Sequence, residues 1–163
     1  MIAIKMEDTK TFMLSLLKLT VFDGFLMSEC TITTYNTFQI DGHIHKEFYS
    51  DEDIQTTASI SKWSSLKQMC FDLIKGKNPP LSFKFVFQLS KENVEKFLQL
   101  TDSLFSPIDI NALVLTIKYD GSCITCMTGT ALSSFSMDKT IDRQWDDFIK
   151  KFFIKHNLSF LEL

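Results

Sequence analysis

His43, His45 and Glu47 alternate along the chain. On a regular strand, residues two apart share a face. The three side chains would then converge, and Asn36 would join them across a two-residue hairpin turn at Asp41-Gly42. Two imidazoles and a carboxylate suit a hard or borderline cation. Phe38 and Ile40 share that face in the same register and dilute it, so a half-polar hairpin surface is the plainer alternative. The trio is the candidate metal site, and a small metal-binding protein or enzyme centred on it is one of two functions weighed.

The other spacings with chemical potential are poorer. Cys123-Ile124-Thr125-Cys126 spells a CxxC. Redox pairs of that kind sit at a helix N-terminus, where the dipole lowers a thiol pKa. This run is strand-like, and positions three apart on a strand point to opposite faces. No second CxxC completes a zinc site, so Cys30, Cys70, Cys123 and Cys126 read as reduced thiols. Lys75-Gly76-Lys77 lacks the spacing of a P-loop. It also closes a helix, whose carbonyl end disfavours anions, and Gly76 reads as its C′ stop. Asp146 and Asp147 diverge on a helix and both read as solvent-facing. His156 reads as a rim residue near the end of the last helix. There is no nucleophile elbow, zinc-protease helix or dinucleotide fingerprint. The sequence implies no cofactor and assembles no catalytic set.

The elements that would hold these residues follow from periodicity. Residues 1–6 alternate as a strand, and Asp8 or Thr9 caps a helix to about Lys18. Asp23-Gly24 breaks the chain. Residues 25–40 are β-branched and aromatic, Asp41-Gly42 favours a type I′ turn, and 43–49 return as a strand. Ser50-Asp51-Glu52-Asp53 is a solvated loop, 54–60 a further strand, and Ser61 caps a helix through Lys75. After Asn78-Pro79-Pro80, the Leu81, Phe83, Phe85, Phe87, Leu89 alternation marks a strand with one wet face. Ser90 caps a helix to about Leu100. Residues 111–119 form a strand, Asp120-Gly121 turns, and 122–137 form a long strand or one broken at Gly129. Asp138 caps the last helix, whose face Ile141, Trp145, Phe148, Ile149, Phe152, Phe153 has the clearest 3.6-residue period.

Asp-Gly recurs 79 residues apart, and Trp63 and Trp145 open two helical patterns at a similar offset. The expected fold is therefore α+β: an antiparallel sheet with helices packed on one side, in two related strand–helix–strand–strand–helix halves, 1–76 and 81–156. A chain of 163 residues with 45% apolar and 23% charged residues forms one domain with a real core. Most of the sixteen Phe belong to that core. No apolar run reaches the roughly 18 residues of a membrane span, and Met1–Lys5 is too short for a signal peptide. The expected location is the cytoplasm.

Thr31-Ile32-Thr33-Thr34-Tyr35-Asn36-Thr37-Phe38-Gln39-Ile40-Asp41-Gly42 with His45-Lys46-Glu47-Phe48 resembles a bacterial family of unknown function. So does Leu73-Ile74-Lys75-Gly76-Lys77 running into Pro80-Leu81-Ser82-Phe83-Lys84-Phe85-Val86-Phe87-Gln88-Leu89-Ser90. The likeness covers most of the chain and implies no activity. Residues 83–137 also resemble one repeat of a DNA sliding clamp, through the Phe83–Leu89 strand, the Lys91–Lys96 helix, the Ala112–Tyr119 strand, the Asp-Gly turn and Thr128-Gly129-Thr130-Ala131-Leu132. Ala131 stands where bacterial clamps usually carry an acid, and a helix at 139–156 follows that the repeat does not require.

A clamp turns its helices toward DNA. The four expected helices hold twelve Lys/Arg and eight Asp/Glu, within an overall charge of −3, which is the sign such a role needs. Lys10, Lys18, Lys62, Lys67, Lys139 and Arg143 lie off the apolar faces and are the candidate nucleic-acid contacts. Lys is also a good helix former, and the footprint is weak beside a dedicated basic stripe. The favoured function is thus a non-catalytic scaffold or interaction protein of clamp-like architecture. Its partner would be a protein or further copies of the chain, ahead of nucleic acid, with no membrane involved.

Overall fold

Sixteen phenylalanines need an extended dry interface, and a sheet covered on one face supplies it. The computed structural model describes residues 1–51 and 58–163. Its elements are β1 (Ala3–Met6), α1 (Thr9–Leu17), β2 (Phe25–Thr33), β3 (Thr37–Asp41), α2 (Trp63–Ile74), β4 (Ser82–Leu89), α3 (Lys91–Leu100), β5 (Ile110–Tyr119), β6 (Ile124–Leu132), α4 (Thr140–Lys155) and β7 (Phe160–Glu162). Short 3-10 turns occur at Lys46–Phe48 and Pro107–Asp109. The strands form one seven-stranded sheet in the order β3-β2-β4-β5-β6-β1-β7, with every neighbouring pair antiparallel. The fold is α+β, as expected. No helix among the described residues is long and apolar enough to cross a membrane.

Local chemistry places the elements. Asp8 caps α1 by accepting from the Thr11 amide at 3.0 Å, and Ser90 caps α3 by accepting from the Asn93 amide at 3.3 Å. Gly76 follows α2 with φ of 148°, a conformation that glycine adopts without steric cost. On β4, Phe83, Phe85 and Phe87 are buried while Ser82, Lys84, Val86 and Gln88 line the other face. Trp63 of α2 packs on Phe85 and Phe87, each with ring centroids 5.1 Å away. Phe12 of α1 meets Phe22, which meets Phe87. Phe152 of α4 reaches Phe25, and Phe97 of α3 stands edge-on to Trp145. These contacts bring the helices onto one face. The opposite face is open, and one cross-strand row there runs Lys5, Thr125, Lys118, Lys84, Thr31. The helix-positive charge contrast is therefore not matched by an acidic sheet face.

Several expectations need correction. Asp41-Gly42 is not a hairpin turn. β2 and β3 are joined by Thr34-Tyr35-Asn36, with Thr33 opposite Thr37. Gly42 instead closes β3 where the chain touches a bulge in β2: its amide donates to the Ser28 carbonyl at 2.9 Å. Residues 43–49 do not return as a strand; His43 makes an isolated bridge to Ile60 and 46–48 turn as 3-10. Glu52 and Asp53 of the acidic loop, and 54–57 of the expected next strand, lie outside the described residues. α2 starts at Trp63 with no side-chain cap from Ser61. β6 ends at Leu132 without a break at Gly129. α4 starts at Thr140, one residue later than expected, although Asp138 still accepts from the Thr140 amide at 2.8 Å. β7 is an additional strand that the periodicity does not mark.

Element order matches two strand–helix–strand–strand–helix halves, but the pairing does not. In the second half β4 lies beside β5, whereas the corresponding β1 lies between β6 and β7, away from β2. The two tryptophans also differ in place. Trp63 begins α2 and donates to the Leu16 carbonyl of a helix, while Trp145 sits in the second turn of α4 and donates to the Val114 carbonyl of a strand. The segment resembling a clamp repeat forms a strand, a helix and two strands, and α4 follows directly.

Asp120-Gly121 does turn a hairpin, through the four residues 120–123 between the paired Tyr119 and Ile124. The Asp120 carboxylate accepts from the Cys123 and Ser122 amides and the Ser122 hydroxyl at 3.0, 2.8 and 2.8 Å. Those donors, the Cys123 amide first, hold its pKa down to about 2 from 3.8. A depressed carboxylate contributes stability above its unfolded pKa and loses it as pH falls through the folded one. Asp120→Ala is therefore expected to lower Tm at neutral pH. That deficit should shrink between about pH 4 and pH 2, read by thermal unfolding across that window.

Candidate functional site

The expected metal trio is not brought together. His43 Nδ1 is 2.5 Å from Asp41 Oδ1, and the His43 amide donates to the same oxygen at 3.0 Å. The His43 amide and imidazole hold the Asp41 carboxyl below its ordinary range. His45 pairs instead with Glu47, Nδ1 to Oε1 at 3.6 Å. With 46–48 turning as 3-10, the alternation that would align the three side chains is lost. Among the described residues no group of three or more His, Cys, Asp or Glu is placed to hold a metal ion.

Three of the four cysteines, Cys30, Cys70 and Cys126, belong to the core. Cys126 is fully buried, which pushes its thiol pKa up, and Cys123 lies in the β5–β6 turn. Cys30 and Cys70 face each other across β2 and α2 with Sγ atoms 3.9 Å apart. The Cys70 thiol, together with burial, pushes Cys30 up.

Of the six candidate nucleic-acid contacts, Lys10, Lys18, Lys62, Lys139 and Arg143 are exposed and Lys67 is half-buried. Lys18 Nζ lies 5.0 Å over the Phe71 ring. Lys67 is engaged by Asp23 at 2.7 Å and by the Leu19 carbonyl at 2.9 Å, and Lys139 pairs with Asp142 at 3.5 Å. Two of the six charges are thus already compensated within the fold.

Of the hollows among the described residues, two bear on function. The larger, about 790 Å³, is a shallow depression of mixed character, lined by Leu132 and Phe135 as well as Thr130, Asp142, Arg143 and Asp146. Its carboxylates are occupied. Asp146 is buried, contrary to its expected solvent-facing role, and accepts from the Thr128 hydroxyl and from the Met1 amine at 3.2 Å. Asp142 accepts from the Thr130 hydroxyl. Thr128 and Thr130 share one face of β6, and Asp142 and Asp146 are one turn apart on α4. The matching spacings make these pairs staples between α4 and the sheet. A search by sequence spacing could not find them, because each pair joins different elements.

The second hollow is an apolar groove of about 270 Å³ between α3, α4 and the loop before β2. Phe97 and Leu100 form its α3 wall, Phe148 and Phe152 its α4 wall, and Val21, Phe25 and Leu89 its floor and end. The helices run antiparallel: Gln144, early in α4, donates to the carbonyl of Thr101 at the end of α3 at 3.0 Å. Asn93, early in α3, donates to the Gly24 carbonyl at 3.1 Å and fixes the loop at the far end. Phe148 stacks on Trp145 and meets Phe97 edge-on. The groove forms because Phe148 and Phe152 sit at the margin of the buried face of α4 and are only half covered. Leu100 at its lip is 79% exposed. Beyond it, Leu104, Ile108, Phe135 and Met137 stand out from the 101–109 and 133–138 loops at exposures of 83% or more. Those loops are joined by the Ser133 amide donating to the Asp109 carbonyl. A cluster of large apolar side chains in water is uncommon on a monomer and marks contact surfaces.

No curated protein and no solved structure matches the chain. A family model does match it, over residues 15–161. The chain belongs to that family, a family of unknown function designated DUF5721.

Proposed function

We propose that this chain is a non-catalytic interaction protein that docks an apolar segment of a partner protein between α3 and α4. The observation that carries the reading is the solvent-open groove walled by Phe97, Leu100, Phe148 and Phe152. Its volume suits one Leu-sized or Phe-sized anchor. Full burial of such a side chain contributes about 1.5–3 kcal/mol, and the exposed Leu104 and Phe135, which share a separate hollow past the end of α3, offer further apolar surface. In the larger depression Asp142 and Asp146 are committed to the Thr130 and Thr128 hydroxyls, joining α4 to β6, which weighs against their acting as catalytic acids or bases there.

The test uses N-acetyl-tryptophanamide and N-acetyl-leucinamide as anchor probes on isotope-labelled protein. Amide shifts are expected at Asn93–Leu100 and Phe148–Phe152, with weaker binding in Leu100→Asn. That substitution leaves the core intact because Leu100 is mostly exposed. Shifts confined to the Ser133–Asp138 depression, or none, would remove the proposal.

A further inference from the structure

Among the lysines on the two helices that wall the groove, those of one α4 stripe stand without a carboxylate partner. Relative to Phe148 and Phe152, Lys151 and Lys155 occupy the i+3 positions on α4, and 148, 151, 152 and 155 form one helical stripe. Gln144 lies on the same stripe and bonds to Thr101 of α3, so the stripe faces α3 across the groove. Both lysines are exposed. Among the described residues, no carboxylate lies within ion-pair distance of either. On the opposite wall Lys96 lines the groove and is compensated by Glu92 at 3.1 Å, one turn earlier on α3. Asp147, the acid nearest the stripe in sequence, is held by Lys150 at 3.3 Å. His156 packs its ring against Phe152 at 4.7 Å and adds no negative charge. The helix stripe that walls an apolar slot with Phe148 and Phe152 thus also carries two cations with no carboxylate partner among the described residues.

We propose, on the reading that the groove docks a partner, that the docked segment is acidic: an aromatic or aliphatic anchor flanked by Asp or Glu. The anchor fills the space between Phe97, Leu100, Phe148 and Phe152, and its flanking carboxylates lie against Lys151 and Lys155. Complementary charge of this kind selects partners and orients them more than it adds affinity. A basic segment would bring like charges together at the same place and be rejected.

The experiment is selection of a random dodecapeptide library on the full chain, with counter-selection on Leu100→Asn to retain groove-dependent binders. Retained peptides are expected to pair one Trp, Phe or Leu with Asp or Glu. Their affinity should fall with added salt and by about tenfold in Lys151→Glu/Lys155→Glu. That variant should itself select Lys-rich or Arg-rich peptides, a reversal that misfolding could not produce. Groove-dependent binders that are neutral or basic, or that ignore the double reversal, would overturn the acidic partner and leave the docking groove standing. Absence of any groove-dependent binder would overturn both.

Discussion

Gly42→Ala is expected to be among the most damaging single-methyl additions to this protein. A Cβ at Gly42 would lie 1.7 Å from the Met27 carbonyl oxygen and 2.8 Å from its carbon. Both are backbone atoms and cannot rotate away. Nor can Gly42 retreat, because its amide donates to Ser28 at 2.9 Å and its carbonyl accepts from the Ser61 amide at 2.8 Å. Those bonds tie β3 and the approach to α2 onto the bulge in β2. Relief of the clash would break one of them or shift the bulge, so a loss of about 3 kcal/mol follows. Two other glycines calibrate the claim. Gly121 has φ of 95°, so Gly121→Ala should cost about 1–2 kcal/mol through backbone strain. Gly24 meets nothing nearer than 3.9 Å, so Gly24→Ala should stay within about 0.5 kcal/mol of the parent. Urea unfolding of the three variants would rank them, and a Gly42→Ala midpoint equal to that of Gly24→Ala would refute the argument.

That glycine also explains a misread turn. Asp-Gly at 41–42 carries the local signature of a type I′ hairpin, yet Gly42 is required by space, not by a positive φ. Asp41 does make a local bond to the His43 amide, the habit of Asx turns. The actual turn, Thr34-Tyr35-Asn36, contains neither Gly nor Pro. Patterns governed by one element were legible. The Phe83/Phe85/Phe87 alternation is a strand with a buried face, and Ile141, Trp145, Ile149 and Phe153 are the buried stripe of α4. Patterns that depend on two elements were not. Phe148 and Phe152 read as core from their period, but how far α3 stands from α4 decides how much of each ring is covered. Asp146 reads as solvent-facing until Thr128 is placed beneath it. β7 spans only Phe160–Glu162 and is held by pairing with β1. The groove is therefore invisible as a site in the sequence, although Phe148 and Phe152 lie on the expected face of the last helix.

Trp63→Ala is expected to be the costliest truncation, and the way it fails should show why α1, α2 and the sheet form one unit. The indole is fully buried against Phe85 and Phe87. Its N–H donates at 3.0 Å to the Leu16 carbonyl, in the last turn of α1, where helix carbonyls lack intrahelical donors. Emptying this site removes apolar contact and leaves a cavity, a change that costs about 3–5 kcal/mol. Trp63→Phe separates the two contributions. It keeps an aromatic ring near Phe85 and Phe87 but withdraws the donor, stranding a buried carbonyl at about 1–3 kcal/mol. In that variant hydrogen exchange should rise at the amides that close α1 on Leu14, Lys18 and Leu19, while the β4 amides stay protected. The alanine variant should lower the urea midpoint with an unchanged m-value, as expected for a loss of stability without loss of cooperativity. Equal midpoints for Phe and Ala would mean that the hydrogen bond, and not the packing, carries the contribution of this residue. A parent-like midpoint for Ala would show that the three elements do not depend on Trp63 for their docking.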